Sequence, residues 1–143
     1  AALTEFIRGV GDTTTRLDRI EPGLNEGLVG DPRNTTTPAA MLGLWQRLLL
    51  GPRLSPGSRT ILLNYLVGNL TGAAKLRAGL PVGWRVGDKT GSWSGNGTSN
   101  DVAIAWPPGR APILIAVYLT GSTLDDAGRS GIIADVGRIV ATL

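Results

Sequence analysis

Two short stretches of this sequence carry residue types that can do chemistry. One is Gly87-Asp88-Lys89-Thr90-Gly91-Ser92. The chain has 14 basic residues and only two are lysines, so a lysine among small and hydroxyl-bearing neighbours stands out. Such a lysine, beside Thr90 and Ser92, can hold an anionic group and help polarise a nucleophile. The other is Glu21-Pro22-Gly23-Leu24-Asn25. If this segment turns helically, Glu21 and Asn25 share a face. A carboxylate and a carboxamide side by side can grip one water, and the carboxylate can deprotonate it. Taken singly, each has a plainer explanation: an exposed lysine flanking a hairpin, and a solvated or capping glutamate.

Composition narrows the chemistry further. There is no cysteine, which excludes disulfides, thiolate zinc sites and thiol nucleophiles. There is no histidine, so a Ser-His-Asp triad and imidazole metal ligands are excluded too. Proton transfer must fall to a carboxylate, a lysine, a tyrosine or water. The net charge is +3, but the arginines are scattered singly and only seven aromatics are present, which argues against a nucleic-acid surface. No apolar run approaches the roughly 20 residues that span a bilayer. The first residues lack the basic-then-apolar pattern of a signal peptide, so in a secreted protein that segment would lie elsewhere or be removed.

The elements that must position these residues can be read in order. Leu3 to Val10 is a short amphipathic helix. Residues 12–37 form a long loop, and loops of this length in compact domains are commonly functional. Leu17, Ile20, Leu24, Leu28 and Val29 are expected to anchor it to a core. Thr37-Pro38 and Ser55-Pro56 are helix starts. Met41, Leu44, Trp45, Leu48 and Leu49 line the first of these helices, and Ile61, Leu62, Tyr65 and Leu66 the second. A third short helix is expected from Thr71 to Ala78. Three strands follow, with a hairpin signal at Asn96-Gly97. Ile132, Ile133, Val136, Ile139 and Val140 should face the sheet from a final helix. Three strands and one helix look like an unfinished layer, because the apolar Ile113–Leu119 strand wants a further neighbour.

The two stretches together resemble one family, the class A serine β-lactamases, whose signature set includes Lys-Thr-Gly, Ser-x-x-Lys, Ser-Asp-Asn and a deacylating loop glutamate. The resemblance spans essentially the whole chain. It includes Gly11-Asp12, Thr15-Arg16-Leu17-Asp18-Arg19, Glu21-Pro22, Leu24-Asn25, Thr35-Thr36-Thr37-Pro38, Gly83-Trp84, Thr98-Ser99-Asn100-Asp101 and Trp106-Pro107. It implies an α/β fold, the α+β sandwich of β-lactamases and transpeptidases. Residues 1–80 would be part of the helical region with an Ω-type loop over 12–37, and residues 81–143 the C-terminal part of the α/β region. The implied catalytic residues are Glu21, as base for the deacylating water, Lys89, and Ser92, whose N–H would be one oxyanion donor. Implied substrate contacts are Asn25, Thr90 and Ser92. Neither metal nor organic cofactor is implied. A periplasmic or secreted location in bacteria is.

Several family features depart or are missing. The residues three before Lys75 and Lys89 are Gly72 and Val86, so no Ser-x-x-Lys occurs, and no Ser-Asp-Asn occurs either. The chain therefore resembles a C-terminal half, and activity would require a complementary N-terminal half as partner. The chain alone is expected to be inactive. The loop neck, an Arg–Asp ion pair in the family, here matches Arg19 and Asn34, which suggests a looser loop with Asp31 taking part of the role. The substrate carboxylate is expected at Arg129, with Lys75 as the alternative and pairing of Arg129 with Asp125 or Asp126 as the plainer fate. Trp93 stands where many relatives have a small residue, and either walls the site or forms a hydrophobic hairpin tip. A different class of function, a catalytically inert association module, is the rival reading.

Overall fold

The computed structural model describes residues 2–143, Asn25 through its backbone alone. Helix α1 (Ala2–Gly9) precedes the long loop, whose one regular piece is a single 3-10 turn at Gly23–Asn25. Helix α2 (Pro38–Trp45) is capped by the Thr37 hydroxyl, which accepts from Ala40 N–H at 3.1 Å, and runs on as a π turn over Gln46–Leu50. Helix α3 (Pro56–Val67) is capped in the same way by Ser55. The short α4 (Leu76–Gly79), strands β1 (Arg85–Trp93), β2 (Thr98–Trp106) and β3 (Ile113–Leu119), and helix α5 (Asp126–Val140) complete the chain.

The three strands form one antiparallel sheet in the order β1-β2-β3. Register pairs Thr90 with Asp101 and Ser92 with Ser99, and strand alternation then divides the sheet into two faces. Leu76 and Leu80 of the α4 region and Ile133 of α5 cover Val86, Ala103, Ala105 and Ile115 on one face. Leu49 and Leu66, with Trp45, Leu62 and Leu63 beside them, cover Ile104 and Leu114 on the other. The first face is closed by direct backbone contact between α4 and α5: a Cβ on Gly79 would stand 1.9 Å from the Ala134 carbonyl oxygen, so only glycine fits.

Several expectations need correction. Thr71 to Lys75 is not helical, and only Leu76–Gly79 is. The backbone breaks at Lys75 (φ −105°, ψ −128°) because the Leu76 N–H turns to the buried Asp101 carboxylate at 3.1 Å. On α5, Ile132 and Ile139 point outward (40% and 64% exposed), since the buried row is Arg129, Ile133 and Gly137. On α3, Ile61 and Tyr65 are exposed, and the packed row is Leu62, Leu63 and Leu66. Strand β3 is only half buried apart from Ile115, as befits an edge strand with no strand on its outer side among the described residues.

The long loop is held by polar bonds, not by the apolar anchors expected. Ile20, Leu28 and Val29 are 78%, 55% and 89% exposed. At the base, the buried Asp12 carboxylate accepts from the N–H groups of Thr14 and Thr15 and from the Thr15 hydroxyl, which also meets Thr36 Oγ1 at 2.6 Å. Burial pushes the Asp12 carboxyl up, but the Thr15 and Thr14 hydrogen bonds and the nearby Arg8 outweigh it and hold it below its ordinary range. Higher up, Asn34 Oδ1 accepts from the N–H groups of Asp18 (2.6 Å) and Arg19 (2.8 Å), while its Nδ2 donates to the Leu24 carbonyl. Asn34 sits at φ +57°, a left-handed conformation that asparagine tolerates better than most residues.

Candidate active site

A cleft of about 670 Å³ opens where the loop turn meets the end of β1. Glu21 and Leu24 line it from the loop, Lys89 to Ser92 from β1, and Thr71 and Lys75 from the segment before α4. Ser99, Asp126 and Ser130 complete the wall. Two stretches that lie far apart in sequence thus meet across one space. Glu21 is exposed at the cleft mouth and precedes a cis peptide bond to Pro22. The Asn25 side chain lies outside the described residues.

The β1 residues divide by strand parity. Thr90 and Ser92 face α4 and α5. There Thr90 Oγ1 meets Thr71 Oγ1 at 2.6 Å, and Ser92 Oγ accepts from Lys75 Nζ at 3.0 Å. Lys89 lies on the opposite parity and reaches the cleft along the strand, its Nζ donating to the Thr90 carbonyl at 2.8 Å. Thr71, Asp126 and Ser130 are cleft residues that sequence reasoning missed, because only the tertiary fold brings them to β1, whereas Ser99 reaches it through hairpin pairing with Ser92.

Lys75, the alternative that the sequence offered for the substrate carboxylate, belongs to this group. It is 6% exposed, and it also donates to the Asn100 carbonyl at 3.3 Å. Burial pushes its ammonium down from the ordinary lysine value, while Asp101, Asp126 and Asp88 pull the other way. The basic residue expected to line the cleft, Arg129, does not line it. Its guanidinium is buried against α5, donating to the Leu124 carbonyl and paired with Asp126. The plainer expectation for Arg129 is the one observed. The pairing offsets the negative charge that Asp126 brings to the cleft wall. Trp93 does not line the cleft either. Alternation puts it on the face away from Ser92, where its indole packs beside Gly27 of the loop and over Gly95.

Beneath the cleft floor lies a buried acidic pair. Asp88 is fully buried and accepts from Arg77 Nε and, at 2.5 Å, from Asn69 Nδ2. Arg77 also donates to the carbonyls of Leu66 and Val67, tying β1 to the end of α3. Asp101 is equally buried, and its Oδ2 accepts from Leu76 N–H, while Oδ1 meets no donor. Burial first, then the neighbouring Asp88, push the Asp101 carboxyl up to about 7. A proton on Asp101 resolves the orphaned oxygen, since the neutral carboxyl can donate to Asp88.

The loop neck is charged after all, through other partners. Arg19 donates to the Glu26 carboxylate at 2.8 Å and its carbonyl at 3.0 Å, and Asp31 Oδ2 lies 3.5 Å from the same guanidinium. Asp31 therefore takes part as expected, but Glu26 carries the closer contact. Hydrogen bonds from Arg33 hold the Asp31 carboxyl far below the usual carboxylate range.

A family model described as "Beta-lactamase enzyme family" matches residues 1–142. The chain is 50% identical over 138 residues to the β-lactamase CTX-M-25 of Escherichia coli, covering 96% of this chain and 47% of that protein. It is 47% identical over 142 residues to a β-lactamase of Streptomyces albus G, covering 99% and 45%. Among solved structures it superposes on an ancestral (GNCA) class A β-lactamase with a TM-score of 0.96 and 59% identity, over 99% of this chain and 54% of that one. The chain thus spans about half the length of the relatives it matches. With the α/β architecture and the cleft described above, the chain belongs to the β-lactamase enzyme family and matches a C-terminal half of a class A enzyme.

Proposed function

We propose that this chain supplies the deacylating base and the substrate-carboxylate site of a serine hydrolase that opens β-lactam rings. The observation that carries this reading is the single cleft shared by Glu21 and the Lys89-Thr90-Gly91-Ser92 strand end. An N-terminal portion carrying Ser-x-x-Lys and Ser-Asp-Asn supplies the nucleophile. We assign residues 1–80 to the helical region with its Ω-type loop and residues 81–143 to the α/β region. The location that fits this chemistry is the bacterial periplasm or exterior, where β-lactams are met.

In this reading the serine oxygen attacks the lactam carbonyl as its proton is removed, the C–N bond breaks with a proton delivered to the ring nitrogen, and an acyl ester remains. Glu21, with Asn25 as second holder, takes a proton from a water. The resulting hydroxide attacks the ester carbonyl, and the serine leaves with a proton returned to it. The Ser92 N–H is one oxyanion donor, worth about 3–4 kcal/mol in comparable hydrolases. Lys75, through its contact with Ser92 Oγ, takes the carboxylate role expected of Arg129, with Thr90 and Lys89 beside it. The scheme calls for neither metal nor organic cofactor.

The test is Glu21→Gln in the enzyme completed with its N-terminal portion. Acylation should persist while deacylation collapses, so a covalent adduct with penicillin accumulates in intact mass spectra. Full turnover by the Gln variant would overturn the assignment. A completed wild-type protein that binds its N-terminal portion without forming any acyl adduct would leave the inert association module as the correct reading.

A further inference from the structure

The turn that carries Glu21 is fastened on one side by the loop neck, through Asn34 to the Leu24 carbonyl and Arg19 to Glu26. On its other side the loop meets the tip of the β1–β2 hairpin at Gly27. Asn96 Nδ2 donates to the Gly27 carbonyl at 3.1 Å. The Trp93 indole lies close enough to Gly27 that a Cβ there would stand 3.2 Å from Trp93 Cε3, and one on Gly95 would stand 2.5 Å from Cζ2. Two glycines, one on each element, therefore make the slot the indole occupies.

The hairpin tip itself is firmly mounted. Asn96 Nδ2 also meets Thr120 Oγ1 at 3.1 Å, its carbonyl accepts from Gly121 N–H at 2.8 Å, and Thr98 Oγ1 meets Thr120 Oγ1 at 2.9 Å. A rigid tip that touches a polar, otherwise solvent-exposed loop is built to fix the loop's position, not to fill a core.

We propose that Trp93 and Asn96 form a latch on Gly27 that positions Glu21 over the cleft, making Trp93 a positioning residue for deacylation. This rests on the reading given under Proposed function. The latch lies six residues from Glu21 along the loop and outside the substrate cleft, so it acts on the base and its water without touching the lactam. It follows that loosening it slows the deacylation step selectively.

The experiment uses Trp93→Ser, Gly27→Ala and the double variant in the completed enzyme, with pre-steady-state kinetics on a penicillin. Gly27 does not have positive φ, so alanine there tests the indole contact and not the backbone. Trp93→Ser should slow deacylation roughly tenfold to a hundredfold, the scale expected when a catalytic group is misplaced by about an ångström. Acylation should be unchanged, so acyl-enzyme accumulates and KM falls along with kcat. Gly27→Ala should slow deacylation alone but add nothing in the Trp93→Ser background, and Trp93→Phe should restore most of the rate. Equal losses in acylation and deacylation, or additive effects of the two substitutions, would overturn the latch. If the completed wild type shows no turnover at all, amide exchange over residues 21–26 decides the latch separately: faster exchange in Trp93→Ser supports it, and unchanged exchange overturns it.

Discussion

Lys75 Nζ and Ser92 Oγ stand 3.0 Å apart across the wall of the cleft, joining a buried ammonium to the serine that follows the Lys-Thr-Gly strand. The ammonium keeps one hydrogen bond to the Asn100 carbonyl and presents the remainder of its donor capacity to the cleft. Removing it as Lys75→Met should raise KM for a β-lactam about 10- to 100-fold, the effect of one charge-assisted hydrogen bond. Steady-state kinetics on the completed enzyme measures this. A larger rise from Arg129→Met would return the carboxylate role to Arg129.

The buried carboxyl of Asp101 makes stability depend on pH around neutrality. Its pKa is raised to about 7 from the ordinary 3.8, by burial and then by Asp88, with Lys75 and the Leu76 N–H opposing. The folded chain thus holds a proton that the unfolded chain has released, and stability falls as pH rises from about 4 to about 7. Asp101→Asn keeps an acceptor for Leu76 N–H and a donor toward Asp88. Denaturant midpoints between pH 5 and pH 8 should fall for the wild type and flatten for this variant. A wild-type slope that survives the substitution would place the titration elsewhere.

Gly72 is fixed by Asp88. A Cβ at that position would sit 1.9 Å from Asp88 Oδ2, inside the network that Arg77 and Asn69 complete. Gly72→Ala should destabilise the chain by about 1–3 kcal/mol, as overpacking typically does. A thermal midpoint equal to that of the wild type would mean that the 71–75 segment moves aside freely.

The loop neck gives a further test. Asn34→Ala removes the acceptor for two N–H groups and places alanine at φ +57°, which alone costs roughly 1–2 kcal/mol. Amides from 18 to 26 should exchange faster, and deacylation should slow. Asn34→Asp supplies a charged acceptor near Arg19 but loses the Nδ2 donor to Leu24. If it leaves both loop exchange and deacylation unchanged, the neck is not what sets loop mobility.

Sequence alone made much of the frame legible. Helix starts at Thr37-Pro38 and Ser55-Pro56, the hairpin at Asn96-Gly97 and the three strands are local signals, and each appears in the structure. So does the meeting of Glu21 with the Lys89 strand. What sequence could not reveal depends on contacts between distant residues. Asp101 captures the Leu76 N–H, breaks the expected helix at Lys75 and so turns Lys75 into the cleft. For Arg129, sequence leaves substrate binding and pairing with Asp125 or Asp126 both open, and only the structure shows Leu124 and Asp126 occupying it. Trp93 reads equally as a cleft wall or a hydrophobic hairpin tip until strand parity sends it to Gly27. The loop looked anchored by its apolar residues, yet hydroxyl and carboxylate bonds from Asp12, Thr15 and Asn34 hold it.

Asn96 also carries a clock. An asparagine followed by glycine is the sequence most prone to cyclise on its own backbone and hydrolyse to aspartate or isoaspartate, and Gly97 follows it here at φ +53°. That reaction would exchange the amide that donates to the Gly27 and Thr120 oxygens for an anionic oxygen facing both. Protein aged at warm, mildly alkaline pH should therefore lose loop protection in step with the appearance of an acidic isoform on isoelectric focusing, and freshly made protein is the sample on which kinetics should be measured.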